Sequence, residues 1–182
     1  MNREQLDHVV RAVTEVVPGE DVLIIGSQAV LAQVDESDLP TEATRSIEAD
    51  IAFFDDPDDS KADKVDGAIG ELSKFHQTFG YYGQGVSVGT ATLPAQWRDR
   101  LVRLEPTSAW SPVWCLEIHD CVVSKLVANR QKDREYAAAL LAGGIVTGET
   151  LSGRVDELPD SVPTAKRELI RAWIAREAAE AS

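Results

Sequence analysis

The chain has 182 residues, of which 43% are hydrophobic and 27% are charged, a balance typical of soluble globular proteins. Its formal net charge of −13 argues against a free-standing nucleic-acid binder, because an acidic surface repels phosphate backbones. No apolar run approaches the ~20 residues that cross a bilayer, and the start of the chain lacks the basic and then apolar layout of a signal peptide. We therefore expect a cytoplasmic protein with no membrane partner.

Local patterns in the first quarter of the chain predict a helix, a strand and a second helix. Apolar residues at helical spacing predict the first helix over residues 3–17. The short β-branched run at residues 22–25 predicts a buried strand. Residues 27–34 are predicted as a short helix with Ser27 as its N-cap, and residues 35–44 as a polar loop.

The middle of the chain continues with strand and helix patterns. A second strand is predicted over residues 47–54, and its alternation places Glu48 and Asp50 on one face. Apolar residues at helical spacing then predict one continuous helix over residues 61–79. Weaker strand patterns occupy residues 81–88, 101–104 and 113–116, and Pro106 ends the second of them.

The last third of the chain is helical in pattern. The predicted helices cover residues 118–128, 132–142, 149–158 and 163–179. Strands mixed with helices first, and helices last, indicate an α+β fold. We expect a small mixed sheet flanked by helices over residues 1–116, with a helical C-terminal region over residues 117–182 packed on it as one compact unit.

Gly26 and Ser27 follow the first strand and precede the second helix. Glycine lets the backbone approach a ligand closely, and amides at the start of a helix together with the serine hydroxyl can bind an anion. The pattern therefore indicates a phosphate-binding turn, although it also fits an ordinary turn between a strand and a helix.

Glu48 and Asp50 are two residues apart on the second predicted strand. Carboxylates at this spacing can share hard cations such as Mg²⁺, which prefer oxygen ligands. The apolar residues around them favour a strand that is buried on one side, where acids need a partner. The alternative is an edge strand with solvated acids.

A third cluster of charges lies at Lys125, Arg130, Lys132 and Asp133. Lys125 falls inside an apolar helical pattern, and the other three follow at the next predicted helix start. Such a cluster can hold a triphosphate and orient its cations. It also fits a corner between two helices with solvated charges.

Together these pieces resemble the nucleotidyltransferase fold, whose signature is a hydrophobic strand, Gly-Ser or Gly-Gly, a short helix and an acid-hydrophobic-acid triplet on the next strand. The matching segments are Ile25-Gly26-Ser27 and Glu48-Ala49-Asp50. Within that superfamily the chain is most similar to stand-alone bacterial proteins related to the AbiEii-type toxins of toxin–antitoxin systems. That similarity rests on Arg45-Ser46 before the acids and on the later block Lys125-Leu126, Arg130 and Lys132-Asp133.

The resemblance implies a role for each of these residues. Glu48 and Asp50 would be catalytic and bind Mg²⁺, and Asp133 would be the later catalytic or orienting acid. The nucleotide phosphates would be bound by Gly26, Ser27, Arg45, Ser46, Lys125, Arg130 and Lys132. The implied reaction transfers a nucleoside monophosphate from a nucleoside triphosphate, such as ATP, to an acceptor hydroxyl on tRNA, a protein or a small molecule. The resemblance also implies a cognate antitoxin or other partner protein.

Two departures from the family pattern bear on activity. The first metal-binding acid is Glu48, where aspartate is usual. In addition, the strand predicted at residues 81–88 carries no acid, whereas many nucleotidyltransferases have a third one there that helps to activate the attacking hydroxyl. One alternative is therefore a catalytically impaired binding or antitoxin module of the same fold. Another is a modifier of cationic small molecules, which an acidic surface would suit.

Overall fold

The computed structural model describes residues 1–105 and 107–181, so Pro106, predicted to end a strand, lies outside the described residues. The strands are β1 (Val22–Ile24), β2 (Glu48–Phe53), β3 (Tyr82–Gly85), β4 (Val102–Arg103) and β5 (Val113–Cys115). The α-helices are α1 (Arg3–Val16), α2 (Thr41–Thr44), α3 (Ser60–Ile69), α4 (Lys74–Phe79), α5 (Ile118–Ala128), α6 (Gln131–Ala142), α7 (Gly148–Asp156) and α8 (Thr164–Glu180). Short 3₁₀ helices cover Ser27–Ala32, Glu36–Asp38, Val88–Thr90 and Trp97–Arg100.

The strands form one mixed sheet in the order β3-β2-β1-β5-β4. β1 lies at its centre, antiparallel to β2 and parallel to β5, while β2 and β3 run parallel. All three residues of β1 are fully buried, as is typical of a strand covered on both faces. The α+β architecture predicted from the order of the elements is confirmed.

Two helices cover one face of the sheet beside β2 and β3. α1 begins with a capping box between Asn2 and Gln5 and buries its apolar stripe, and it packs against α3 and β3. The approach is close, because a Cβ added at Gly83 of β3 would lie 2.9 Å from the side chain of Ile69 in α3. Since side chains alternate along a strand, Glu48 and Asp50 project from the opposite face.

The helix predicted over residues 61–79 is instead two helices, α3 and α4. The chain leaves the helical conformation at Gly70, which is extended, and Leu72 has a φ of 63°. Ser73 then caps α4 by accepting a hydrogen bond from the His76 amide. The prediction was wrong because apolar spacing continues across the break, although Leu72 is 76% exposed.

Two local predictions near the Gly-Ser turn also differ from the structure. The predicted helix over residues 27–34 is instead a 3₁₀ helix over Ser27–Ala32, and Gly26 occupies its N-cap without a side-chain hydrogen bond. Residues 35–44 were predicted to be a loop, yet they include α2 and a 3₁₀ helix. α2 forms because its Ala43 is buried against the core, a tertiary contact that a polar sequence does not reveal.

The C-terminal helices α5 to α8 agree closely with the four predicted helices. α5 packs against the 3₁₀ helix Ser27–Ala32, and α6 packs against α5 and α2. Gln33 joins these parts directly, because its amide nitrogen donates to Leu116 O at 3.0 Å and its amide oxygen accepts from the Ile118 amide at 3.0 Å. α5 is thereby held beside the Gly-Ser turn. Within the described ranges, no helix is both long and apolar enough to cross a membrane.

Candidate nucleotide site

A cavity of about 330 Å³ opens where the end of β1, the start of β2 and the helices α5 and α6 meet. It is lined by Ser27, Glu42, Arg45, Ser46, Ile47, Glu48, Asp50, Tyr82, Lys125, Arg130, Lys132, Asp133, Glu135 and Tyr136. Every site residue predicted from the sequence is in this lining except Gly26. Gly26 instead packs against the side chain of Asp50, which does line the cavity. The three separate clusters of the sequence therefore converge in space.

Gly26 and Asp50 are packed directly against each other. A Cβ added at Gly26 would lie 1.8 Å from Oδ2 and 2.7 Å from Cγ of Asp50, so no other residue type fits there without displacing the carboxylate. The backbone holds the same pair together, because the Ile25 amide donates to Asp50 O at 3.1 Å. The turn and the second acid thus form one unit.

Glu48 and Asp50 interact on the exposed side of β2. The pKa of Glu48 is raised by partial burial, and then by the charge of Asp50 and a hydrogen bond with it. Lys132 and Lys125 act in the opposite direction. Two carboxylates in this arrangement repel each other once both are ionised.

Tyr82 is a site residue that the sequence analysis missed. It lies opposite Glu48 in the β2–β3 register and lines the same cavity. Burial, and then the charge of Glu48, raises the pKa of Tyr82 to about 12, so the phenol stays protonated and can donate at neutral pH. Only the register of the two strands reveals this neighbour.

Asp133 is the centre of the basic side of the cavity. It is 1% exposed, and Arg130 binds it with Nε–Oδ2 and Nη2–Oδ1 distances of 2.7 and 3.3 Å. Lys125 Nζ lies 3.8 Å from Asp133 Oδ1. The Arg130 backbone amide also donates to Asp133 Oδ2 at 3.2 Å at the start of α6. Asp133 therefore orients both cations toward the cavity.

Residues 4–158 match the family model described as "Nucleotidyltransferase of unknown function (DUF6036)". The chain belongs to this family. The matched range includes the Gly-Ser turn, the acid pair and the Lys125–Asp133 cluster, and it ends before α8. The resemblance to nucleotidyltransferases is confirmed at this level. No curated protein and no solved structure matches the chain.

In the part of the chain that the structure describes, Glu48 and Asp50 of this nucleotidyltransferase-family site have no third acid beside them that would complete a metal site. Across residues 1–105 and 107–181, no group of three or more His, Cys, Asp or Glu side chains is arranged to hold a metal ion. On the neighbouring strand β3, Tyr82 lies opposite Glu48 and Gln84 lies opposite Asp50. Gln84 donates to Asp66 at 2.8 Å. The strand on which the sequence analysis found no third acid is thus the direct neighbour of the pair.

Arg45 and Ser46 lie at the rim of the cavity. The Arg45 guanidinium is 3.1 Å from Glu135 and 3.7 Å from Glu42, and its side chain is 60% exposed. The Ser46 hydroxyl accepts from the Glu48 amide at 3.2 Å and donates to Glu48 O at 3.2 Å. Arg45 is therefore paired with acids, and Ser46 fixes the start of β2. Their phosphate-binding roles stay predictions.

Proposed function

We propose that the protein is a Mg²⁺-dependent nucleotidyltransferase that transfers a nucleoside monophosphate from a nucleoside triphosphate to an acceptor hydroxyl and releases pyrophosphate. The observation that carries this proposal is the packing of Asp50 against Gly26. It puts the Gly-Ser turn beside an acid pair, in a cavity whose other wall carries Lys125, Arg130 and Lys132.

The basic wall suits the triphosphate. Lys125 and Arg130 are held by Asp133, so their charges are oriented before a ligand arrives, which lowers the entropic cost of binding. Lys132 is exposed at the mouth of the cavity. Ser27 supplies a hydroxyl on the facing side. These groups would hold the phosphates and neutralise charge on the leaving pyrophosphate.

The acid pair suits a divalent cation. Carboxylate oxygens are the ligands that Mg²⁺ prefers. Burial, and then the charge of Asp50, raises the pKa of Glu48, and a cation shared between the two carboxylates would relieve their repulsion. Bound there, Mg²⁺ would supply charge stabilisation at the transferring phosphate. Tyr82, opposite Glu48 in the β2–β3 register, would donate to that carboxylate and hold it in place.

A specific observation favours a second candidate, a nucleotide-binding module that does not catalyse transfer. The described residues supply no third carboxylate within metal reach of Glu48 and Asp50. Without it, activation of the acceptor hydroxyl falls to another group or does not occur. In this alternative the protein still binds the nucleotide phosphates but does not catalyse nucleotidyl transfer.

Labelled nucleoside triphosphates separate the two candidates. The protein is incubated with Mg²⁺ and each α-labelled triphosphate, alone and with tRNA, with proteins or with cationic small molecules as acceptors. The enzymatic function is supported if label is transferred by the wild type and by the control Asp38→Asn, which changes an exposed residue, but not by Glu48→Gln or Asp50→Asn. Binding without transfer supports the module. Absence of both binding and transfer rejects the proposal.

We further propose that the protein acts as the toxin-like member of a bacterial toxin–antitoxin or defence pair, related to AbiEii-type proteins. The support is the placement of Arg45-Ser46 and the Lys125–Asp133 cluster on one cavity, the residues on which the resemblance rests. Induced expression in a bacterium should arrest growth, and Asp50→Ala should relieve the arrest. Equal growth with the wild-type and Asp50→Ala chains would reject this role.

A further inference from the structure

Two buried side chains from the C-terminal helices donate to consecutive carbonyls of the Gly-Ser turn. The Cys121 thiol of α5 donates to Gly26 O at 3.3 Å, and the Tyr136 hydroxyl of α6 donates to Ser27 O at 3.1 Å. Cys121 is 1% exposed and Tyr136 is 3% exposed. Burial raises the pKa of both groups, so both keep the proton that they donate.

These two hydrogen bonds constrain the orientation of the turn together with the Ala29 amide, which also donates to Gly26 O at 3.1 Å. A peptide unit is planar and trans, so its carbonyl and its amide N–H point in opposite directions. When Gly26 O is held toward α5, the Ser27 N–H of the same unit points away from α5. Ser27 itself lines the cavity. A second held carbonyl, at Ser27, restricts rotation of the next peptide unit in the same way.

Tyr136 also contacts the basic wall. Lys125 Nζ lies 5.3 Å from the centroid of the Tyr136 ring, within the range of a cation–π interaction. One side chain therefore contacts the turn through its hydroxyl and the lysine through its ring face. Both contacts occur where the side chain is shielded from water, which strengthens them.

We propose that Tyr136 and Cys121 are positioning residues that set the orientation of the Gly26–Ser27 turn, and that Tyr136 links this turn to Lys125 so that both bind the nucleotide phosphates in a fixed relation. This inference rests on the proposed function. It assigns to the C-terminal helices a part in nucleotide affinity besides packing. Neither side chain is proposed to touch the reacting atoms.

Substitutions at Tyr136 separate its two contacts. Tyr136→Phe removes the hydroxyl and keeps the ring, whereas Tyr136→Leu removes both. Calorimetric titration with nucleoside triphosphate and Mg²⁺, below the melting temperature, should give about 5- to 10-fold weaker binding for Tyr136→Phe, the scale of one lost hydrogen bond, and a larger loss for Tyr136→Leu. The matched control is Tyr81→Phe, whose hydroxyl is bonded to His8 at 2.8 Å outside the cavity and should bind as the wild type does.

Cys121 supplies an independent pair of variants. Cys121→Ala removes the donor and should weaken nucleotide binding several-fold, while Cys121→Ser keeps a donor and should restore it. Cys115→Ala, at a buried cysteine in β5, controls for loss of a thiol from the core. A purely structural role would lower the melting temperature of Cys121→Ala and leave the affinity of the folded protein unchanged.

Amide NMR signals of Gly26 and Ser27 in the ligand-free protein give a readout that needs no nucleotide. They should shift in Tyr136→Phe and Cys121→Ala and stay in place in Tyr81→Phe. If the wild type binds nucleotide and the variants bind equally with unshifted signals, the inference is wrong and the proposed function stands. If the wild type binds no nucleoside triphosphate, the proposed function fails and the inference fails with it.

Discussion

At Gly26, the backbone and a carboxylate lie so close that no side chain fits between them. From the sequence, the glycine was expected to let a phosphate approach the backbone. The structure gives it a nearer neighbour, Asp50, whose Oδ2 would be 1.8 Å from any added Cβ. The requirement for glycine thus exists before any ligand binds.

Gly26→Ala is expected to destabilise the protein and to abolish nucleotide binding. The added methyl forces Asp50 or the turn to move, and overpacking of this kind costs about 1–3 kcal/mol. Gly67→Ala is the matched control, because no atom lies within 4 Å of a Cβ at this position in α3 and alanine is the better helix former. Thermal unfolding checks both, and equal melting temperatures for the two variants would contradict the expectation.

Glu48 is an acid whose ionisation opposes folding. Because burial and the charge of Asp50 raise its pKa above the ordinary value of 4.5, the folded state binds this proton more tightly than the unfolded state does. At pH values above this raised pKa, the ionised Glu48 therefore lowers the free energy of unfolding relative to its value at lower pH. A residue kept at such a cost is typical of a functional site.

Glu48→Gln should be more stable than the wild type at neutral pH. Glutamine cannot ionise, so the gain should shrink as the pH falls through the raised pKa toward 4.5. Melting temperatures across this window test the sign, with exposed Glu168→Gln as the control for removal of one carboxylate. A stability difference that does not vary with pH would show that ionisation of Glu48 is not its source.

Among the elements, α5, α7 and the 3₁₀ helix Trp97–Arg100 are joined by a buried carboxylate. Asp120 of α5 is fully buried and lies 2.9 Å from Arg100 Nε and 3.0 Å from Arg154 Nε. Glu157 accepts ion pairs from the same two arginines at 3.1 and 3.2 Å. The network fixes α5, the helix that carries Lys125 and Cys121, relative to the rest of the chain.

Asp120→Ala should cost about 3–5 kcal/mol of folding free energy, because it leaves two arginines without their buried partner. Urea unfolding measures this as a lower midpoint at unchanged slope. Asp156→Ala is the control, since Asp156 pairs with Arg171 on the surface, where side chains are 67% and 38% exposed, and such pairs contribute little. A similar midpoint for both variants would refute a structural role for the network.

Over the whole molecule, acids outnumber bases, 31 to 18. Two of the arginines near residue 100 are paired with acids: Arg100 binds Asp120 and Glu157, and Arg103 lies 2.9 Å from Glu105. These cations are therefore engaged by the protein itself. The net charge of −13 then acts on the folded state as self-repulsion.

Sodium chloride is expected to raise the melting temperature. Added salt screens repulsion between surface charges, with a Debye length that falls from ~30 Å at 0.01 M to ~10 Å at 0.1 M. Melting temperatures measured across this range of salt concentration test the prediction. Sucrose at matched osmolality is the control for stabilisation by a solute that is excluded from the protein surface. A falling melting temperature would mean that the surface ion pairs outweigh the net repulsion.

Local signals in the sequence predicted most of the elements and the main groups of the site. The apolar periodicity of residues 118–128 predicted both ends of α5 correctly. The Gly26-Ser27 and Glu48-Ala49-Asp50 segments are short motifs that can be recognised from the sequence alone. The break between α3 and α4 was missed, because it depends on Leu72 adopting a left-handed backbone. Tyr82 and Tyr136 were missed since strand register and helix packing bring them to the cavity.

The sequence by itself determined the order of the elements, the α+β class and the chemical groups proposed here for phosphate and metal binding, since these follow from residue type and short-range spacing. Only the tertiary structure decided which groups meet: Asp50 against Gly26, Tyr82 beside Glu48, and Asp133 between Lys125 and Arg130. The physical reason is that these contacts depend on sheet pairing and helix packing, which act between segments far apart in the chain.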